Sequence, residues 1–139
     1  MASGKYEAFS QLVLNWLFNG GTFTQPTNLY IALFSVTPSV SSTGTEATGS
    51  GYARITVACN TTNWPTISST TTTITNNVAQ SYSAATGDWS SAANQVAAGI
   101  WSALSSGTLY YWGALTEAKP VLNGDTASFA IDAITVQEL

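Results

Sequence analysis

The amino-acid sequence predicts a mainly β protein, an antiparallel β-sandwich or flattened barrel of about 7–9 short strands with one N-terminal α-helix. Three observations predict it. Short apolar and aromatic runs recur along the chain, separated by clusters of Gly, Pro, Asn, Asp and Ser. Only 7% of the residues are charged, while Ser and Thr make up roughly a quarter of the chain, a polarity that suits strands and turns better than long surface helices. Apolar residues at helical spacing occur near the N-terminus. At 139 residues the chain has the length of one domain, expected to span 1–139, with the helix over 3–19, the sandwich over 28–139 and a surface loop at 37–51.

In the helix, Tyr6, Phe9, Leu12, Val13, Trp16 and Leu17 form a wide aromatic stripe that must dock on something. Ser3 suits the N-cap, Glu7 the first turn and Gly20-Gly21 the left-handed stop. Thr22–Asn28 reads as a linker and Leu29–Phe34 as a strand apolar on both faces. Pro38 ends that strand, and the Ser/Thr/Gly-rich stretch to Gly51 is a loop long enough to make a partner contact. Tyr52–Cys59 alternates most cleanly, with Ala53, Ile55, Val57 and Cys59 inward and Tyr52, Arg54 and Thr56 outward. Ile67–Thr75 suits an exposed edge-like strand, Ala79–Ala84 a short strand and Thr86–Ser90 a turn.

The centre of the predicted fold is a hairpin over Val96–Leu115, whose two apolar runs are joined by Ser105-Ser106-Gly107. Both strands are apolar on both faces, with Val96, Ala98, Ile100 and Leu104 opposing Ala97, Gly99, Trp101 and Ala103 in the first. Such strands need cover on both sides, and the expected second cover is the helix stripe or another subunit. The small residues Ala32, Ala97, Gly99 and Ala103 offer a shallow trough for either. Beyond the hairpin, Glu117–Pro120 reads as a turn, Val121-Leu122 as a short strand and Asn123-Gly124-Asp125 as a tight turn. Ala127–Ile131 and Ile134–Gln137 are the closing strands, with Phe129 and Ile131 on one face of the first and Ile134 and Val136 on one face of the second.

A net charge of −4, with Lys5, Arg54 and Lys119 the three positive side chains, leaves no basic patch for nucleic acid or an anionic membrane surface. So little charge also protects weakly against association, which fits a protein packed into an assembly, and the two-sided hairpin predicts a homo-oligomer, with a trimer among the candidates, where the helix leaves its second face open. The single cysteine, Cys59, rules out an internal disulfide and reads as a small buried apolar residue. Leu12–Phe18 is interrupted by Asn15 and followed by no small-residue cleavage site, so no signal peptide is expected.

The chain contains no histidine, which removes Ser-His-Asp and Cys-His nucleophile systems and imidazole metal ligands. Its seven carboxylates fall mostly in predicted turns or near chain ends, the usual place of solvated groups rather than of a facing acid/base pair. No phosphate-binding glycine motif is present. No catalytic, cofactor-binding or metal-binding residue is therefore expected, and no cofactor. The candidate partner contacts are aromatic. Phe9 and Trp16 on the helix, and Trp101 and Trp112 in the hairpin, read as core or subunit contacts. Trp64 and Trp89 stand in polar loops and are the candidates for meeting a ligand or partner.

Several segments together carry a resemblance. They are Leu14-Asn-Trp-Leu-Phe-Asn-Gly-Gly21, Pro26-Thr-Asn-Leu-Tyr-Ile-Ala-Leu-Phe34, Gly49-Ser-Gly-Tyr-Ala-Arg54, Asn63-Trp-Pro65, Ala85-Thr-Gly-Asp-Trp89, Leu109-Tyr-Tyr-Trp-Gly-Ala-Leu115 and Gly124-Asp-Thr126. In this order they resemble small tailed-bacteriophage virion proteins, commonly labelled tail fibre protein, with some similar β-rich ones serving as capsid cement. The chain departs from that pattern at Ala98-Gly-Ile-Trp-Ser102, where such relatives are expected to carry an acidic turn residue. The resemblance implies a non-enzymatic virion component, made in the host cytoplasm and bound to other virion proteins. The absence of a long repetitive shaft favours a capsid cement or decoration protein held by the major capsid protein. A tail-fibre or baseplate module with a host-binding role, held by tail proteins, is the alternative, and a carbohydrate-binding module comes from another class.

Overall fold

The computed structural model describes residues 3–68 and 70–138. Its elements are β1 (Ser3–Lys5), α1 (Glu7–Phe18), β2 (Asn28–Val36), β3 (Thr45–Glu46), β4 (Ile55–Ala58), β5 (Thr73–Thr75), β6 (Gln80–Ser81), a 3-10 turn (Trp89–Ala92), β7 (Asn94–Trp101), β8 (Leu109–Pro120), β9 (Ser128–Phe129) and β10 (Thr135–Gln137). A six-stranded sheet runs in the order β1-β8-β7-β2-β3, and β4 shares with β3 the far edge of β2. Two small ribbons, β10-β5 and β6-β9, complete a sandwich-like architecture in which every pairing is antiparallel. The sheet stays open between its end strands, so the flattened barrel gives way to the sandwich.

The predicted hairpin is the centre of this sheet. Strands β7 and β8 pair with each other, β2 flanks β7, and Leu33 lies opposite Ala98. On one face Ile31, Val57 and Ile100 pack with Trp64, Ile134 and Val136, while Leu33 and Ala98 pack with Tyr82, Ala85, Trp89 and Val121. On the other face Ala32, Phe34, Ala97, Trp101 and Leu109 form a separate buried cluster with Tyr6, Tyr30 and Trp112 against it. That second cover was expected from the helix stripe or a second subunit. The chain's own aromatics supply it instead, with the Phe34 and Trp101 rings stacked at 6.4 Å. The small residues exist to let them in. A Cβ on Gly99 would sit 2.8 Å from the Phe34 ring and 2.9 Å from a Leu109 methyl.

The pairing of β7 with β8 shifts register between Ile100 and Trp101, which face Tyr111 and Leu109. Tyr110 is the extra residue of this bulge, and bulges re-aim side chains. Here both Tyr110 and Tyr111 reach Phe9, at 4.6 and 5.3 Å between ring centroids. Phe9 is the buried residue of α1, and the docking of the helix rests on this aromatic contact.

Several local expectations are overridden by tertiary pairing. Ser3 is not the helix N-cap: Ser3–Lys5 pairs with Tyr111–Gly113 as an edge strand, and the helix begins after Tyr6, which caps without a side-chain bond. Gly20, at φ 68, ends α1 as predicted, and the Gly21 N–H returns to the Asn15 carbonyl. Residues Glu117–Pro120 form no turn, because β8 continues through them opposite Asn94 and Gln95. Val121-Leu122 is not a strand, and the Val121 carbonyl instead accepts from the Trp89 N–H. Ile67–Thr75 is strand only at Thr73–Thr75, and Ser69 lies outside the described residues. The Tyr52–Cys59 alternation fails at its start: Ala53 is exposed and Arg54 buried, while Cys59 is half-buried. In the closing segment Ile134 and Val136 are buried together as expected, but Ile131 is exposed.

Candidate functional site

Between β4 and β3 the edge of β2 lacks a strand partner, and two tyrosines complete it. The Tyr82 hydroxyl donates to the Ile31 carbonyl at 3.0 Å, and the Leu33 N–H donates to the Tyr52 hydroxyl at 3.3 Å. Tyr52 in turn donates to Glu46 Oε1 at 2.9 Å. Backbone groups inside a fold must be paired, so the hydroxyls here do the work of a missing strand. Burial pushes both phenols up, and the Glu46 carboxylate pushes Tyr52 further in the same direction.

Arg54 extends this network across the sheet. Its Nε and Nη2 donate to the two Glu46 oxygens at 2.8 and 2.7 Å, and Nη1 donates to the carbonyls of Ala103 and Ser106 at 2.6 and 2.8 Å. The guanidinium lies 4.1 Å from the centre of the Trp101 ring. A fork of this kind suits arginine and no other side chain. It ties the β7–β8 connection to the opposite edge of β2 and is architectural, since four of its five N–H donors are spent within the chain.

The aromatic candidates separate clearly. Trp89 is 0% exposed and Trp64 is 9% exposed. Trp89 packs edge-on against Tyr52 and Tyr82 and donates through Nε1 to the Ser50 carbonyl at 3.1 Å. Neither indole therefore offers the exposed, coplanar platform that the carbohydrate-binding reading requires. Polar neighbours in sequence misled here because the rings pack against apolar side chains that the fold brings to them. Trp101 is buried in the second-face cluster, and the half-buried Trp112 lies over Gly4 in the paired edge strand, where a Cβ would meet its ring at 2.5 Å. Phe9 is core. Trp16 is the exception at 53% exposed.

Trp16 does not stand alone. Leu14, Leu17 and Phe18 are also exposed, Phe18 at 77%, so the C-terminal half of α1 is left uncovered by the described residues. Close to the anchored start of the helix lies an apolar cleft of about 550 Å³, whose lining includes Phe9, Phe23, Leu29, Trp64, Tyr110 and Val136. Cys59 and Thr61 also line it, and burial pushes the Cys59 thiol up. At its rim Glu138 accepts from the Lys5 ammonium at 2.9 Å and from the Tyr111 hydroxyl. Partial burial raises the Glu138 carboxyl, but these two donors outweigh it and hold the group below its ordinary value. Sequence reasoning passed over Leu14 and Phe18, although their signal was present: the helix is apolar on nearly every side of its last turn.

Among the described residues no group of three or more His, Cys, Asp or Glu side chains is placed to hold a metal ion. No helix among them is long and apolar enough to cross a membrane. What the arrangement leaves exposed is apolar surface, concentrated at one helix end and one cleft.

No curated protein matches the chain. The family model described as podophage GP4 fiber I protein gp80 matches residues 5–137, which takes in every strand except the start of β1, together with the helix, the cleft lining apart from Glu138, and the Arg54 network. By that match over nearly its whole length, the chain belongs to the family of the podophage GP4 fiber I protein gp80, a family of tailed-phage virion structural proteins.

Proposed function

We propose that this protein is a non-enzymatic structural module of a podophage tail fibre, bound to other virion proteins and to further copies of itself. The family match over residues 5–137 carries the reading. The projecting apolar end of α1 supports it, because a side-chain set of that kind belongs at a protein contact. The preference for capsid cement drawn from the missing shaft is the weaker of the two, since the family is named for a fibre; it survives as a second reading because the described residues form no elongated repeat. Made in the host cytoplasm, the module would join the particle during assembly, with a tail protein as its partner in the first reading and the major capsid protein in the second.

Immunogold labelling of purified virions with antibody to the chain separates them. Label confined to the tail supports the fibre module, label spread over the head establishes cement, and particles without label remove the virion role.

A further inference from the structure

The chain contains two Asn-Gly pairs, Asn19-Gly20 and Asn123-Gly124, and the fold treats them differently. In such a pair the backbone nitrogen of the glycine can attack the asparagine side chain, because the glycine has no Cβ to stand in the way. At Asn19 the Gly20 amide gives its proton to hydroxide, its nitrogen bonds to Asn19 Cγ, and the Cγ–Nδ2 bond breaks as ammonia leaves with a proton from water. Water then opens the five-membered imide at either carbonyl and leaves aspartate or isoaspartate. The net reaction takes up water and releases ammonia, with nothing oxidised or reduced and no helper side chain.

Both pairs are exposed, and both glycines hold a positive φ, 68° at Gly20 and 90° at Gly124. What separates them is the nucleophile. The Gly124 N–H donates to the Ala85 carbonyl at 2.8 Å, and the Ala85 N–H donates to the Asp125 carbonyl at 2.8 Å. Asp88 Oδ1 accepts from the Asn123 N–H at 2.9 Å, and the Leu122 carbonyl accepts from the Asp125 N–H at 2.9 Å. Attack at Asn123 therefore requires a whole turn to come away from the body of the protein. Among the described residues the Gly20 N–H has no acceptor, and nothing lies within 4 Å of the place where a Gly20 Cβ would stand. The Asn19 and Gly21 N–H groups both donate to the Asn15 carbonyl at 3.0 Å, but these bonds close the last turn of an exposed helix end, where fraying is easy.

We infer that Asn19 is the chain's site of spontaneous deamidation in the folded state, and that the bonded turn beside Ala85 spares Asn123. Holding the Gly124 amide in one hydrogen bond of ordinary net strength lowers its reactive fraction about 2- to 10-fold, before the other ties are counted. The modification matters because of where it falls. No charged side chain occurs from residue 8 to residue 45. A carboxylate at Asn19 becomes the first, next to the exposed Leu17 and Phe18 and at the helix C-terminus, where the macrodipole disfavours an anion. Isoaspartate also lengthens the backbone by a methylene, which displaces the Gly21 N–H from the Asn15 carbonyl. Deamidation thus loosens the last turn of α1 and puts charge on its apolar end.

The test incubates the purified full chain at mildly alkaline pH, folded in buffer and unfolded in guanidinium chloride, and follows chymotryptic peptides by mass with an isoaspartate assay beside them. In the folded chain the Asn19 peptide should deamidate several-fold faster than the Asn123 peptide, and in denaturant the two rates should converge. Asn19→Asp should show faster amide hydrogen exchange in the last turn of α1 than Asn19→Gln, which stays neutral. Equal rates at the two asparagines of the folded chain overturn the inference, as does a faster Asn123. A folded chain that keeps both asparagines while the unfolded chain loses both also overturns it, since the helix end would then protect Asn19. So does a difference that persists unchanged in denaturant, because sequence neighbours rather than the fold would set the order. Matching exchange in Asn19→Asp and Asn19→Gln overturns the loosening of α1. The inference needs nothing of the protein's place in the particle, which virion labelling reads separately.

Discussion

Removing the Arg54 fork should be among the costliest single changes away from the apolar core. The side chain is 6% exposed, and its carboxylate partner Glu46 is 25% exposed, so the pair belongs with buried rather than surface ion pairs. Breaking a buried pair by removing one partner costs about 3–5 kcal/mol, against at most ~1 kcal/mol for an exposed pair. Two features place Arg54→Ala near the lower end. Glu46 keeps the Tyr52 hydroxyl, and the Ser106 carbonyl belongs to an exposed residue that water can reach. The lost stacking on Trp101 adds about 1 kcal/mol. Urea unfolding followed by tryptophan fluorescence should therefore show a loss of about 3–4 kcal/mol, corresponding to roughly 10 °C in Tm for a domain of this size. Arg54→Lys should recover less than half of it, because an ammonium cannot fork to both carboxylate oxygens and reach two carbonyls together. A cycle with Glu46→Gln should give a coupling of about 1.5–3 kcal/mol that persists in strong salt. A loss below about 1 kcal/mol, or a coupling that salt abolishes, would refute the reasoning, since either outcome describes an exposed pair.

Three further outcomes follow from the same structure. Tyr82→Phe leaves the Ile31 carbonyl unpaired while preserving the ring and should cost about 1–2 kcal/mol by urea unfolding; a neutral result would mean the edge of β2 is not closed by this hydroxyl. Gly99→Ala drives a methyl into Phe34 and Leu109 and should cost about 1–3 kcal/mol, with the thermal midpoint as the check; unchanged stability would show that the two-sided packing has slack. Burial raises the phenols of Tyr52, Tyr82, Tyr110 and Tyr111, so their contribution to stability is full below the unfolded tyrosine value of about 10 and is lost as pH rises above it. Phenolate absorbance from these four should accordingly appear in step with loss of circular dichroism, and their ionisation in an intact fold would contradict it.

How much was legible in advance depended on whether a residue's partners were near in sequence. The hairpin, the Asn123-Gly124-Asp125 turn, the Gly20 helix stop and the inward Ile134/Val136 pair are local patterns, and each stands in the structure where its pattern put it. The misplaced residues all answer to distant partners. Arg54 alternates outward by period, yet its fork is set by Glu46 on one side and the carbonyls of Ala103 and Ser106 on the other. Trp64 and Trp89 sit among polar neighbours, yet each ring is enclosed by residues far along the chain. Ser3 has the chemistry of a cap, but a ladder with β8 takes that segment first.

The sequence by itself determined the mainly β class, the central two-sided hairpin, the poverty of charge and the lack of histidine, because strand period, turn chemistry and composition are properties of short segments and whole-chain counts. The tertiary structure alone decided which side chains cover the second face of that hairpin and which are left over. Phe34, Trp101, Leu109 and Trp112 fill the trough made by the small residues. With that face closed from within, the helix docks on the other one through Phe9 and Val13, and the last turns of α1 stand with Leu14, Trp16, Leu17 and Phe18 exposed. The stripe that reads as core in one dimension is divided in three, packed at its start and exposed at its end, because burial is settled by competition among all the apolar groups of the chain for one limited interior.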